Sequence, residues 1–193
     1  DVSSLEACKA FPSVVWIELD RPNLVAFKQR LLQEAGTEST IRLLLRGCDL
    51  SKQTLENILQ TVPDFNAGED TLFIAESVCM FLTPKQNREL FASLHELMSK
   101  KSYFIFTALA QRQQGSSPLA QSVQRRALKK SGTFLWTCTQ AEMPGFLNEA
   151  HLEIAQCISY EAMHSEEMHT HLTDKKAKRR GEDIYIAQKM QNP

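Results

Sequence analysis

The stretch VVWIELDRPNLVAFKQRLL, residues 14–32, changes its periodicity part-way along. Residues 14–19 form a short, β-rich apolar run, which predicts a strand. From residue 23 to 34 the apolar side chains Leu24, Phe27, Leu31 and Leu32 recur at helical spacing. Arg21-Pro22 suits a helix start, because proline fits the first turn, and Gly36 suits the stop. Two carboxylates, Glu18 and Asp20, sit where the strand runs out.

The same strand-then-helix unit recurs further along the chain. Residues 41–45 predict a second strand ending in RGCDL, followed by Ser51 as a possible cap for a helix carrying Leu55, Ile58 and Leu59. VPDFNAGED, residues 62–70, is a turn-rich loop. Residues 71–75 predict a third strand ending at Glu76. Thr83-Pro84 then reads as cap plus first-turn proline for a helix with Leu90, Phe91, Leu94, Leu97 and Met98 on one stripe. Residues 103–107 predict a fourth strand, and after it the pattern loosens. A loop covers 111–118, helices are predicted over 119–130 and 145–149, and late strands over 152–160 and 184–189. Strands alternating with short helical crossovers predict an α/β fold with a doubly wound, mostly parallel sheet. The early strands are continuous apolar runs, as expected when helices cover both faces.

The bulk numbers narrow the function. A chain of 193 residues, 42% hydrophobic and 23% charged, can bury one sizeable core, so a single domain over 1–193 is expected. A net charge of −1 creates no general attraction for nucleic acid or anionic membrane. No apolar run reaches the length of a membrane span, and no signal-peptide pattern opens the chain. The cysteines Cys8, Cys48, Cys79, Cys138 and Cys157 are odd in number and form no CxxC pair. They read as thiols in a reducing compartment, hence a cytoplasmic protein with no zinc site.

Three predicted strands end in acids: Glu18/Asp20, Asp49 and Glu76. In open α/β sheets the ligand crevice lies beyond the carboxyl ends of the strands, and an acid there can accept two ribose hydroxyls at once. Strand alternation puts Glu18 and Asp20 on one face. Asp20 is nearer the open end and is the preferred ribose ligand, with Glu18 as the other candidate. Asp49 could equally cap the helix that follows. Glu76 lies within LFIAESVCMFL, where an acid is costly unless it is paired or faces a ligand.

These residues also resemble a known family. WIELDRPNLVAFKQRLL, RGCDL, VPDFNAGEDTLFIAESVCMFLTPKQNRELFASL and the late GEDIYIAQK are similar to the leucine carboxyl methyltransferase family and its bacterial relatives. The shared pattern is E-x-D-x-P at Glu18–Pro22, D-L at Asp49-Leu50, and a glutamate-to-T-P segment from Glu76 to Pro84. The similarity runs from residue 14 to about 94 and thins from Gln111 onward. It implies a Rossmann-like class I methyltransferase fold with a late antiparallel strand, and an S-adenosyl-L-methionine-dependent O-methyltransferase. It also implies that Asp20 binds the ribose, that Asp49 and Leu50 flank the adenine, and that Glu76 faces the methionine portion. Where relatives often carry Gly and Tyr, this chain has Ser77 and Phe81, and the lost tyrosine hydroxyl bears on substrate recognition. Against the family, the chain begins after the glycine-rich GxGxD turn, so the first strand and that turn are expected to be missing from it.

The reaction so implied is in-line attack of a carboxylate or hydroxyl oxygen on a sulfonium methyl, with a small molecule or a peptide as methyl acceptor. The protein's task is then alignment and desolvation. A hydroxyl acceptor would call for a base; His95 and His151 are the nearest proposals, and no catalytic residue is assigned. Lys28 is expected to tolerate substitution if it is only surface charge. Trp16 and Trp136 read as packing residues. His164, His169 and His171 with Glu166 and Glu167, and the basic run 175–180, read as solvated segments rather than a metal site or a nucleic-acid patch. The competing function is a non-catalytic interaction module on the same fold. A nicotinamide-dependent reductase is disfavoured, since no GxGxxG occurs.

Overall fold

A computed structural model describes residues 3–36, 42–63, 65–109, 134–160, 162–163 and 181–190. The expected loop at 111–118, the helix at 119–130, the histidine and glutamate group at 164–171 and the basic run 175–180 lie outside the described residues. The chain divides into two compact units, Asp1–Phe65 and Asn66–Pro193.

The first unit contains helix α1 (Ser3–Ala10), strand β1 (Trp16–Asp20), helix α2 (Pro22–Glu34), strand β2 (Leu43–Gly47) and helix α3 (Leu55–Leu59). β1 and β2 pair in parallel, with Trp16 opposite Leu43 and Asp20 opposite Gly47. The crossover between them is α2, which begins on Pro22 as the sequence predicts; Val25 and Leu32 are buried. The helix stops where Gly36 takes a positive φ of 65°, a conformation that side chains resist. Ser51 does not cap α3. That role falls to Thr54, whose hydroxyl accepts from the Asn57 N–H, because the backbone after Asp49 makes a turn before the helix begins. The sequence reading gave no element to the residues of α1.

The second unit holds strand β3 (Leu72–Ala75), a 3-10 turn (Cys79–Phe81), helix α4 (Pro84–Leu97), strand β4 (Tyr103–Leu109), helix α5 (Met143–Asn148), strand β5 (Leu152–Ile158) and strand β6 (Glu182–Lys189). Its four-stranded sheet has the order β3-β4-β6-β5. β3 and β4 are parallel, whereas β6 runs antiparallel to both β4 and β5, giving the late antiparallel strand. α4 opens with a capping box: Thr83 and Gln86 satisfy each other's backbone N–H groups, with Pro84 in the first turn.

The predicted stripe on α4 is the core of this unit, with Leu90, Phe91, Leu94, Leu97 and Met98 all buried. Phe91 makes ring contacts with Phe104, Phe106 and Phe146 at centroid distances of 5.5, 5.3 and 5.5 Å. Register puts Phe106 opposite Tyr185 and Phe104 opposite Ala187, and these alternate residues line one buried face. Trp136 is buried against Phe91 and Phe146, a packing role as expected. The prediction of two covered faces does not hold at β3. This strand is the edge of its sheet, and Leu72 and Ile74 project to an exposed side while Phe73 and Ala75 are half-buried.

None of the five cysteines forms a disulfide, and Cys157 alone among them is exposed. Among the described residues no helix is long and apolar enough to cross a membrane. Nor does any group of His, Cys, Asp and Glu among them suit a metal ion.

Candidate functional site

In the first unit, parallel pairing brings the carboxyl ends of β1 and β2 side by side, and with them Asp20 and Cys48-Asp49-Leu50. The Cys48 N–H donates to the Asp20 carbonyl at 2.7 Å, extending the ladder one step past the strands. Both acids lie close enough to add, after burial itself, to the upward push on the Cys48 thiol.

Gly47 explains why the two ends can come together. A Cβ on it would lie 2.9 Å from the Cα of Pro22, so only glycine lets β2 pass the proline that starts α2. RGCDL and DRP are thus two halves of one packing contact.

The three acids of this unit differ in how far the protein already uses them. Both oxygens of Glu18 are occupied: Lys28 Nζ reaches them at 2.8 and 2.6 Å, and the Ser4 hydroxyl donates to Oε2. Lys28 is therefore no surface charge, its side chain being only 16% exposed. Asp20 is exposed, accepts from the Arg21 N–H through Oδ1 at 2.7 Å, and meets no protein donor at Oδ2 among the described residues. Asp49 is half-buried; its Oδ1 accepts from the hydroxyl and N–H of Ser51, and its Oδ2 pairs with Lys52 at 3.0 Å. The Ser51 hydroxyl, then Lys52, hold its carboxyl at about 2, below the ordinary 3.8. Leu50 beside it is half-buried.

Glu76 belongs to the second unit and is exposed directly beyond β3. The apolar sequence around it therefore exacts no desolvation cost from its carboxylate. The next residue, Ser77, has a φ of 52°, the left-handed region that glycine fills most easily. For a residue with a Cβ this conformation costs about 1–2 kcal/mol. Three hydrogen bonds offset it. The Ser77 N–H donates to Thr107 Oγ1 at 2.8 Å, and the Ser77 hydroxyl donates to the Glu182 carboxylate at 2.9 Å. The Thr107 hydroxyl also donates to Glu182. Beyond Ser77, buried Asn87 on α4 donates to the Cys79 carbonyl at 2.9 Å and fixes the 3-10 turn. Phe81 meets Phe134 in a tilted ring contact with centroids 5.6 Å apart.

Residues 6–95 match the leucine carboxyl methyltransferase family. That stretch contains Glu18, Asp20, Asp49, Leu50 and Glu76. The chain is 29% identical over 109 residues to a candidate S-adenosyl-L-methionine-dependent methyltransferase of Mycobacterium ulcerans, and to its counterpart in Mycobacterium marinum. Each alignment covers 56% of this chain and 36% of the relative, so the chain spans little more than a third of these relatives' length.

Among solved structures, mitomycin 7-O-methyltransferase MmcR superimposes with a TM-score of 0.61 at 15% identity, over 97% of this chain and 46% of that one. The S-adenosylhomocysteine-bound methyltransferase CalO1 does so at 0.57 and 13%, over 96% and 44%. At such identities the likeness establishes the fold: that of the class I methyltransferases.

Thr107 and Glu182 escaped the sequence reading. Their signals were a lone hydroxyl in the apolar run YFIFTAL and an acid opening a strand in GEDIYIAQK. Neither is interpretable before the register is known. His95 lies in the last turn of α4, with its ring 5.6 Å from that of His151.

Proposed function

We propose that this chain forms the S-adenosyl-L-methionine-binding part of an O-methyltransferase of the leucine carboxyl methyltransferase family. In this reading Asp20 binds the ribose and Leu50 packs on the adenine, whose amine donates to Asp49. Glu76 is proposed to face the methionine portion. The observation that supports it most is the open carboxylate of Asp20 next to Asp49-Leu50 at the paired ends of β1 and β2. A free carboxylate oxygen is what a ribose hydroxyl requires as acceptor. Glu18 is assigned instead to holding α2 and α1 on β1 through Lys28 and Ser4.

The bound cofactor supplies an electrophilic methyl group on a sulfonium. The chain's own residues bind and orient it by hydrogen bonds to its sugar and base. The methyl acceptor is proposed to be a carboxylate or hydroxyl of a small molecule or peptide; a carboxylate would need no protein base. The exchange of Tyr for Phe81 favours a second reading, a non-catalytic interaction module that retains the fold.

Calorimetric titration with S-adenosylmethionine separates the two. Saturable binding, weakened about 5- to 150-fold in Asp20→Ala (roughly 1–3 kcal/mol for an unmatched polar partner), supports the cofactor reading. A folded protein that gives no binding heat supports the module.

A further inference from the structure

We propose that Glu182, with Thr107 and Ser77, is a positioning residue for Glu76: the three form a clamp that holds the peptide after β3 in the conformation the cofactor site uses. This inference rests on the proposed role of Glu76 and adds a residue 105 positions from Ser77 in sequence.

The clamp is a closed set of donors and acceptors. The Thr107 oxygen accepts the Ser77 N–H and gives its own proton to Glu182, while the Ser77 hydroxyl gives its proton to the same carboxylate. One hydroxyl that both accepts and donates, and one ionised carboxylate that takes two O–H donors, leave no member mismatched. The register explains why these three meet. Phe106 is the last β4 residue paired with β3, so Thr107 lies just past the end of β3, level with the Glu76-Ser77 turn. β6 runs antiparallel to β4, with Glu182 opposite Leu109, so its first residue arrives at the same edge.

Glu182 is itself held firmly. The adjoining Asp183 is buried and accepts from the Tyr160 N–H at 2.9 Å and from Gln140 Nε2 at 3.0 Å. On its other side, Gly181 leaves room for no Cβ, because the Tyr160 ring fills that space. A rigid carboxylate at a strand start therefore fastens a left-handed residue whose neighbour is the candidate ligand Glu76. The serine in place of the family's glycine is thus compensated: the backbone freedom that glycine supplies is replaced by side-chain bonds.

The test uses Thr107→Val, which keeps the shape and removes the hydroxyl, Thr107→Ser, which restores it, and Glu182→Ala. Amide hydrogen exchange at Ser77 and affinity for S-adenosylmethionine are both read well below the melting temperature. Exchange at Ser77 should rise at least tenfold in Thr107→Val and Glu182→Ala, with affinity falling about five- to tenfold, and Thr107→Ser should recover both. Should Thr107→Val fail to fold, Ser77→Gly, which keeps the backbone conformation and deletes one clamp bond, should show the same pair of changes on a smaller scale. Unchanged exchange at Ser77 overturns the clamp. Raised exchange with unaltered cofactor affinity overturns its positioning role. A wild-type protein that takes up no S-adenosylmethionine overturns the proposed function instead, and the exchange measurement, which needs no cofactor, then decides the clamp by itself.

Discussion

Replacing Lys28 by methionine should destabilise the first unit by about 2 kcal/mol. The side chains of Lys28 and Glu18 are 16% and 25% exposed, and two lysine contacts under 3 Å join them. An exposed ion pair contributes about 0–1 kcal/mol. Removing one member of a fully buried pair costs about 3–5 kcal/mol, because the other charge is stranded. The Glu18–Lys28 pair lies between these limits, and Ser4 would still donate to the orphaned carboxylate. Methionine preserves the apolar stem that packs on β1, so the measured loss reports the charge. Trp16 on β1 gives a local probe: urea unfolding followed by its fluorescence, in a Trp136→Phe background common to all variants. With a slope of about 1–3 kcal/mol per molar urea, the midpoint should fall by roughly 1 M. A double-mutant cycle with Glu18→Gln should give a coupling of at least about 1 kcal/mol. Lys52→Met, at a side chain 78% exposed, is the control and should leave the midpoint where it was. If Lys28→Met behaves like Lys52→Met, the assignment of Glu18 to structure rather than to ligand is refuted.

Gly47→Ala should destabilise by about 1–3 kcal/mol, because the new Cβ meets Pro22 backbone at 2.9 Å and one of the two strand ends must move; an unshifted melting temperature would show that the contact is soft. The Asp49 carboxyl should titrate at about 2 by carbon NMR. Since its folded value lies below the ordinary 3.8, it contributes stability that is fully present above about pH 4 and is lost as the pH falls through 2. Ser51→Ala, which removes the leading cause, should return the value toward 3.8, and a titration unchanged by that substitution would contradict it.

What the sequence made legible, and what it hid, follows from the range of the interactions. Local signals were read correctly: proline at the start of α2, the Thr83-Pro84 cap and the α4 stripe all depend on residues within a few positions. The acids at the strand ends were legible because each strand stops where apolar residues stop. Lys28 was misread because its burial depends on α2 packing on β1 beside α1, an element whose weak amphipathicity gives little signal. The cost expected for Glu76 was misjudged because apolar neighbours in sequence do not fix exposure at a sheet edge. The Ser77–Thr107–Glu182 set was invisible because only the β4–β6 register brings its members together.

Amide chemical-shift mapping during titration with S-adenosylhomocysteine tests the cofactor assignment most directly. The account predicts saturable shifts at residues 20–21 and 48–50, with a further set at 76–77. Saturable binding whose shifts leave 20–21 and 48–50 untouched would contradict it.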